Sequence, residues 1–372
     1  MDKLRVLHAL SYSHYPERFY HLLKEMEKYF DIYVLYADYS SYKTLDSLMP
    51  SKVYWIPSQN ITPVFSLKNY IFLSISNIYE LLAKIKPDII HIHTHYFLSN
   101  YQIVKVARRL NIPTLLDIQG IIENKNYLID MLQYIYLRSS LLRSLLCDVD
   151  GVRFVSAYDF TYMKNLCNNL YDKSMLIPNF IEIEKYYIGR KIPHTIVWHG
   201  RLVRKKRLDI ILRSLELLLH KYGFSDLRFY LVGYGPEFSR LINLAQKYKI
   251  VNNIIYKPFL NTQKIIDLLA SSEVIPYTST YEGNPYSLLE AAACGVYPIG
   301  FKTPGTYETI YLLNGRIIED VDVVKLASAI AEIFSEGFNP WVFRERVEKY
   351  YSPRVVLRKL REFYQKISAR VI

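Results

Sequence analysis

The sequence predicts an α/β protein of two domains, each a parallel sheet whose crossovers are helices. Two observations carry that reading. Short apolar runs alternate with amphipathic stretches almost from end to end, the pattern of buried parallel strands joined by helices. The chain has 372 residues, more than one hydrophobic core usually supports, so two units of roughly 150–200 residues each are expected.

In the first half, strands are expected at Arg5 to Ala9, Asp31 to Tyr36, Ile89 to His93, Pro113 to Ile118 and Gly151 to Ser156. Helices are expected between them, at Glu17 to Lys28, Ile71 to Lys84 and Tyr101 to Arg109. Polar residues gather where these strands end: Ser11 and His14, His93 and His95, Gln119 and Glu123, then Ser156. Ligands of open α/β sheets bind at those carboxyl ends. The stretch Ile181 to Arg190 has weak periodicity, which puts the domain boundary between 187 and 188. The second domain, 188–354, then has strands at Thr195 to His199, Arg228 to Val232, Ile254 to Lys257, Val274 to Tyr277 and Tyr297 to Gly300. Its helices are Leu208 to Lys221, Glu237 to Tyr248, Gln263 to Ala270 and Pro285 to Cys294, and a capped helix begins near Pro353.

Composition narrows the function. Lys68 and Glu80 bound the most apolar stretch, so no run of about 18 apolar residues exists and no membrane span is expected. Charges at Asp2, Lys3 and Arg5 with no apolar signal core argue against secretion, and a cytoplasmic location is expected. Cys147, Cys167 and Cys294 are too few and too scattered for a disulfide framework or a four-ligand zinc site, which fits reducing surroundings. The net charge of +12 asks for anionic partners. Residues 1–190 hold 21 basic and 18 acidic side chains, or +3, leaving +9 to the remainder, which is the more basic part. No RNA-binding or helix-turn-helix signature is present, so nucleic acid is not an expected partner. All 13 glycines lie at or after Gly120, so a glycine-rich phosphate cradle can exist only beyond that point.

Three segments there carry chemistry. Tyr281 to Gly295 sets Glu282 and Glu290 on either side of an expected helix start, with Asn284 as N-cap, Pro285 in the first turn and Gly295 as the left-handed stop. Amides at a helix N-terminus attract an anion, and two carboxylates accept hydrogen bonds from neutral hydroxyls, a combination suited to a sugar nucleotide. An amphipathic helix with one capping and one solvated glutamate has the same sequence pattern. His199-Gly200-Arg201-Leu202-Val203-Arg204-Lys205-Lys206-Arg207 places several cations beside a glycine at a strand exit, where Arg forks onto phosphate and Lys acts as a point charge. A solvated basic loop is the bland alternative. Val232-Gly233-Tyr234-Gly235-Pro236 joins another strand to a helix and lacks the third glycine of a dinucleotide fingerprint.

In this order the segments resemble the retaining GT-B glycosyltransferases of family 4. The matching residues are Gly200-Arg201-Leu202 with Lys206, then Val232 to Pro236, then Glu282 to Gly295. Weaker matches are Pro87 to His93, Ile112-Pro113-Thr114 and Ile177 to Glu182. The resemblance implies an α/β GT-B fold: two Rossmann-like domains facing across a cleft, with a C-terminal helix, 355–372, crossing back to the N-terminal domain. It implies that Arg201, Lys206 and Glu282 act in catalysis. Gly200, Gly233, Gly235, Gly283, Asn284, Pro285, Tyr286, Ser287, Leu288 and Glu290 would hold the nucleotide-sugar donor, with Glu290 on the ribose. His14, His93, Gln119, Ser156 and Asn179 would face the acceptor. A UDP- or GDP-sugar is the expected co-substrate, with no cofactor and no metal required.

Some residues depart from the family pattern. Ser11 to Arg18 replaces the usual Gly-Gly turn with bulky side chains, and Gln119 stands in place of a histidine, able to hydrogen-bond but not to titrate. His91, His93 and His95 share one face of a strand end, a set zinc would accept, but no matching carboxylate set is evident, so no metal is expected. Tyr127 to Leu146 mixes apolar residues with Arg138 and Arg143; a core-facing helix explains it more economically than a surface resting on a membrane. The expected reaction moves a sugar to a hydroxyl on a glycan, lipid or small molecule. The alternatives are a sugar-nucleotide epimerase of related fold and a sugar-nucleotide-binding protein without turnover.

Overall fold

The computed structural model describes residues 3–10, 17–36, 52–55, 58–60, 71–73, 75–96, 98–121 and 134–371. His14 and the Ser11 to Pro16 turn lie outside them. The chain forms two compact units. The first runs to Ile121, continues over Tyr134–Pro178 and takes in the chain from Pro353; the second spans Asn179–Ser352.

The first unit holds β1 (Arg5–Leu10), β2 (Asp31–Tyr36), β3 (Val53–Trp55), the hairpin β4 (Ser58–Asn60) and β5 (Ile71–Leu73), then β6 (Ile89–Ile92), β7 (Thr114–Ile118), β8 (Gly151–Phe154) and β9 (Ser174–Leu176). Seven of these form a parallel sheet in the order β3-β2-β1-β6-β7-β8-β9. The helix expected from Ile71 begins only at Ile75, because Ile71–Leu73 pairs antiparallel with Ser58–Asn60. A short Ile-Phe-Leu run serves strand or helix equally, and the partner strand decides. The helix Pro353–Val371 buries Val356, Leu357, Leu360, Phe363, Tyr364 and Ile367 in this unit. Gly151 permits that approach, since a side chain there would collide with Ile367.

Cys147 and Cys167 form a disulfide with Cα atoms 5.7 Å apart, which corrects the expectation that the three cysteines are too scattered to pair. Cys147 lies on the helix Ser140–Asp148 and Cys167 in the turns that follow Ala157–Met163, where Arg143 Nε donates to Leu166 O at 3.0 Å, a proximity that sequence spacing does not show.

The second unit holds β10 (Thr195–His199), β11 (Arg228–Val232), β12 (Ile254–Lys257), β13 (Val274–Tyr277), β14 (Tyr297–Phe301) and β15 (Arg316–Ile318), parallel throughout in the order β12-β11-β10-β13-β14-β15. Alternation along β10 explains its central place. Ile196 and Trp198 enter a core with Leu208, Ile211, Phe229 and Ile330, while Val197 enters another with Ile275, Leu288 and Val347. Each such side chain contributes about 1.5–3 kcal/mol on burial, so a strand apolar on both faces is stable only between two helical layers. The chain enters this unit at Asn179 rather than at 188, because Ile181 and Ile183 already pack against Val197 and Leu288.

Candidate active site

The order of the second sheet reverses between β10 and β13, and ligands of open α/β sheets bind outside the strand ends at such a point. The three chemically informative segments leave β10, β11 and β13 there. The first two lie backbone against backbone: Gly200 N–H donates to Val232 O at 3.0 Å, and Leu202 N–H to Tyr234 O at 2.9 Å. Gly233, at φ +133°, is required at this contact, since a Cβ there would collide with the carbonyl of Gly200.

The third segment grips the basic turn. Arg204–Lys206 is a single 3-10 turn and Arg207 follows in the left-handed region at φ +48°, a conformation that costs a non-glycine residue about 1–3 kcal/mol. Thr278 Oγ1 shares its proton between Lys206 O at 2.8 Å and Arg207 O at 3.0 Å, and Thr280 N–H donates to Lys205 O at 2.9 Å. These bonds hold the turn against its strain.

Both glutamates then meet the basic segment, one at each end. Lys206 Nζ lies 2.5 Å from Glu282 Oε1. Burial pushes the Glu282 carboxyl up, but the Lys206 and Lys205 ammonium groups and hydrogen bonds from Lys206 and Ser279 outweigh it, holding the group below its ordinary value. At the other end His199 Nε2 lies 3.7 Å from Glu290 Oε2 and 3.3 Å from Ser287 O, an acceptor, so that nitrogen carries a proton. Glu290 is buried. The helix Tyr286–Ala293 is enclosed from Leu288 to Ala293, so the reading of a solvated surface glutamate does not hold. Ser287 Oγ is 2.7 Å from the Tyr277 hydroxyl.

The other expected residues have the following places. Pro285 stands at the N-cap position, and the Asn284 carboxamide makes no capping bond. Its oxygen accepts from Asn179 N–H at 2.9 Å and its nitrogen donates to Thr309 Oγ1 at 3.0 Å. Asn179, expected on the acceptor side, therefore belongs to the second unit, and its own carboxamide donates to Asn284 O at 3.1 Å. Gly283 and Tyr286 are half-buried beside Glu282, and Gly295 ends the helix at φ +69°. Gly235 packs against Leu202. Arg201 is exposed at the mouth of the Gly200 turn. Ser156 accepts from Asp159 N–H at 3.2 Å, capping a helix. In the first unit, Gln119 Nε2 donates to Asp117 Oδ2 at 3.2 Å, and His93 Nδ1 lies 3.5 Å from the same oxygen. Sequence reading missed His199, Thr278, Thr280 and Thr309 as site residues. For His199, Thr278 and Thr280 the one local signal was a polar group at a strand exit; Thr309, inside the helix Thr306–Leu312, had none.

Comparison with known proteins gives the family and the fold. Residues 188–351 match the family described as Glycosyl transferases group 1, and residues 18–185 match Glycosyltransferase Family 4. An uncharacterized glycosyltransferase of Bacillus subtilis (strain 168), YqgM, is 25% identical over 289 residues, covering 75% of this chain and 78% of its own. A phosphatidylinositol N-acetylglucosaminyltransferase subunit of Homo sapiens is 20% identical over 348 residues, 86% of this chain and 66% of its own. The crystal structure of Anabaena Alr3699/HepE in complex with UDP superposes with a TM-score of 0.78 at 15% identity, covering 98% of this chain and 100% of that one. The fold is that of the GT-B enzymes, with two Rossmann-like units. The chain belongs to the family 4, group 1 glycosyltransferases.

Proposed function

We propose that this glycosyltransferase moves a sugar from a UDP- or GDP-sugar to a hydroxyl acceptor with retention of anomeric configuration. The observation that carries the reading is the bracketing of one cationic turn by two buried carboxylates at the switch point of the second sheet. Arg201 and Lys206 meet the diphosphate, Glu290 the ribose hydroxyls and Glu282 a hydroxyl of the donor sugar. The loops of Gly200, Gly233 and Gly235 and the start of the helix at Gly283, Asn284, Pro285, Tyr286, Ser287 and Leu288 surround the nucleotide. Breaking the sugar–phosphate bond puts charge on the leaving diphosphate, and fixed cations lower the barrier where that charge grows. The acceptor oxygen bonds to the anomeric carbon on the face the phosphate leaves, and the hydroxyl proton passes to a phosphate oxygen. No metal or cofactor takes part in these steps.

The acceptor is assigned to the first unit, where the family resemblance gives contacts to His93, Gln119 and Ser156, and to His14 outside the described residues. The HepE structure with UDP supports a nucleotide-sugar donor, and the likeness to a human phosphatidylinositol N-acetylglucosaminyltransferase supports a lipid-linked acceptor, reached from the cytoplasmic face of a membrane. Tyr134, Ile135 and Leu141 are exposed, and Arg138 lies over the Tyr134 ring at 3.5 Å, a surface suited to peripheral contact with lipid. Among the described residues no helix is long and apolar enough to cross a membrane.

A thermal-shift screen of UDP-, GDP- and ADP-sugars identifies the donor, since a bound ligand raises the melting temperature by mass action. Labelled donor then distinguishes the reactions. Label on an acceptor supports the proposal; free epimerised donor, or binding with neither product, overturns it.

A further inference from the structure

The first sheet carries a second cluster, which the donor site does not use. Its strand order reverses between β1 and β6, and His8 on β1 stands in register with His91 on β6 at that reversal. His93 lies two residues on, and all three imidazoles are buried. One nitrogen from each lies within 4.8 Å of the others. His95, which shares the His91–His93 spacing in sequence, stacks instead near Tyr96 and Tyr136.

Asp117 gives the cluster its direction. His91 presents Nε2 to Asp117 Oδ1 at 2.7 Å, and His93 presents Nδ1 to Asp117 Oδ2 at 3.5 Å. The carboxylate is itself pinned by Arg153 Nη1 at 2.7 Å and by Gln119. The two rings stack 4.4 Å apart, and with those nitrogens turned to Asp117 the ones left for a ligand are His91 Nδ1 and His93 Nε2. His93 Nε2 meets His8 Nδ1 there at 2.7 Å. An imidazole with one ring nitrogen on a carboxylate and the other aimed at a shared point is how metal-binding histidines are oriented.

We propose that His8, His91 and His93 bind one zinc-class divalent cation, with Asp117 as the carboxylate that orients two of them. Three imidazoles with an open fourth position form a common zinc donor set. Zn–N bonds of about 2.0–2.1 Å put tetrahedral nitrogens about 3.4 Å apart, so His8 Nδ1 and His93 Nε2, now 2.7 Å apart, must part while a pair spaced toward 4.8 Å draws in. The protons balance. With Nε2–H on His91 and Nδ1–H on His93 given to Asp117, both facing nitrogens hold lone pairs. His8 moves its proton from Nδ1 to Nε2, which has no hydrogen-bond partner to lose among the described residues. His91 Nδ1 exchanges its 2.6 Å bond with the Tyr364 hydroxyl for the metal.

The test uses the full chain, loaded with zinc, dialysed against metal-free buffer and assayed for metal per chain. About one equivalent is expected in the wild type, with loss of that equivalent in His8→Phe and in His93→Gln. Circular dichroism and UDP binding serve as folding controls. Should His8→Phe fail to fold, cobalt(II) on the wild type decides, through an intense visible band that a chelator abolishes. A wild type that retains no zinc, variants that retain as much as wild type, or cobalt without that band each overturn the proposal. UDP binding in the second unit is independent of it, so either reading can fail alone.

Discussion

Replacing Lys206 with Met removes one partner of an ion pair whose two side chains are only 12% and 11% exposed. The Glu282 carboxylate is then left desolvated and unpaired, and breaking one side of a buried pair costs about 3–5 kcal/mol. For a unit of this size each kcal/mol shifts the melting temperature by about 2–4 °C, so a fall of about 6–20 °C is expected by scanning fluorimetry. The same ammonium is assigned to the diphosphate. Losing a charge-assisted hydrogen bond of about 1.5–3 kcal/mol weakens UDP binding about 10- to 150-fold in a calorimetric titration. Glu282→Gln separates the two effects: stability falls, but UDP affinity stays within about threefold because the cation remains. The double variant Lys206→Met with Glu282→Gln regains most of the lost stability and none of the affinity, since a neutral pair leaves no stranded charge. Melting temperatures of both single variants within about 1 °C of wild type would refute the ion-pair reasoning. Wild-type UDP affinity in Lys206→Met would remove the lysine from the phosphate site.

Glu290→Ala is expected to weaken nucleotide-sugar binding by about 1.5–3 kcal/mol, read as dissociation constants for UDP-sugar; unchanged binding takes this residue out of the site. Gly233→Ala forces a side chain into the Gly200 carbonyl at a positive φ, so lower soluble yield and a reduced melting temperature are expected, and a wild-type melting curve would contradict the close approach. Acid destabilises the first unit through His8 and His93, whose basicity is lowered from the ordinary value of 6.5. Because the unfolded chain binds those protons first, their contribution is full above about pH 6.5 and is lost as pH falls below it, for His93 down to about 4, by up to about 1.4 kcal/mol per pH unit for each imidazole. Urea midpoints that do not move between about pH 7 and pH 5 would exclude that coupling.

Local chemistry made much of this protein legible before any coordinates. Runs such as Thr195–His199 and Val274–Tyr277 are apolar on both faces, which only a parallel sheet between helices accommodates, and they form where expected. Glycine at 200, 233 and 295 marked turns that need unusual backbone angles. Pairing between distant segments was not legible. Whether Ile71–Leu73 is strand or helix depends on Ser58–Asn60, and Cys147 meets Cys167 only because the helix Ser140–Asp148 lies against the turns that follow Ala157–Met163.

The sequence by itself determined the layered α/β class, the two units and the three segments that carry charge and flexibility, because each follows from side-chain period and backbone preference within a short window. Tertiary structure alone decided that Lys206 faces Glu282, that His199 sits by Glu290, that Asn284 ties Asn179 rather than capping a helix, and that His8 rather than His95 joins His91 and His93. Those outcomes depend on strand order and register, which place residues far apart in the chain within a few ångströms and which no local pattern encodes.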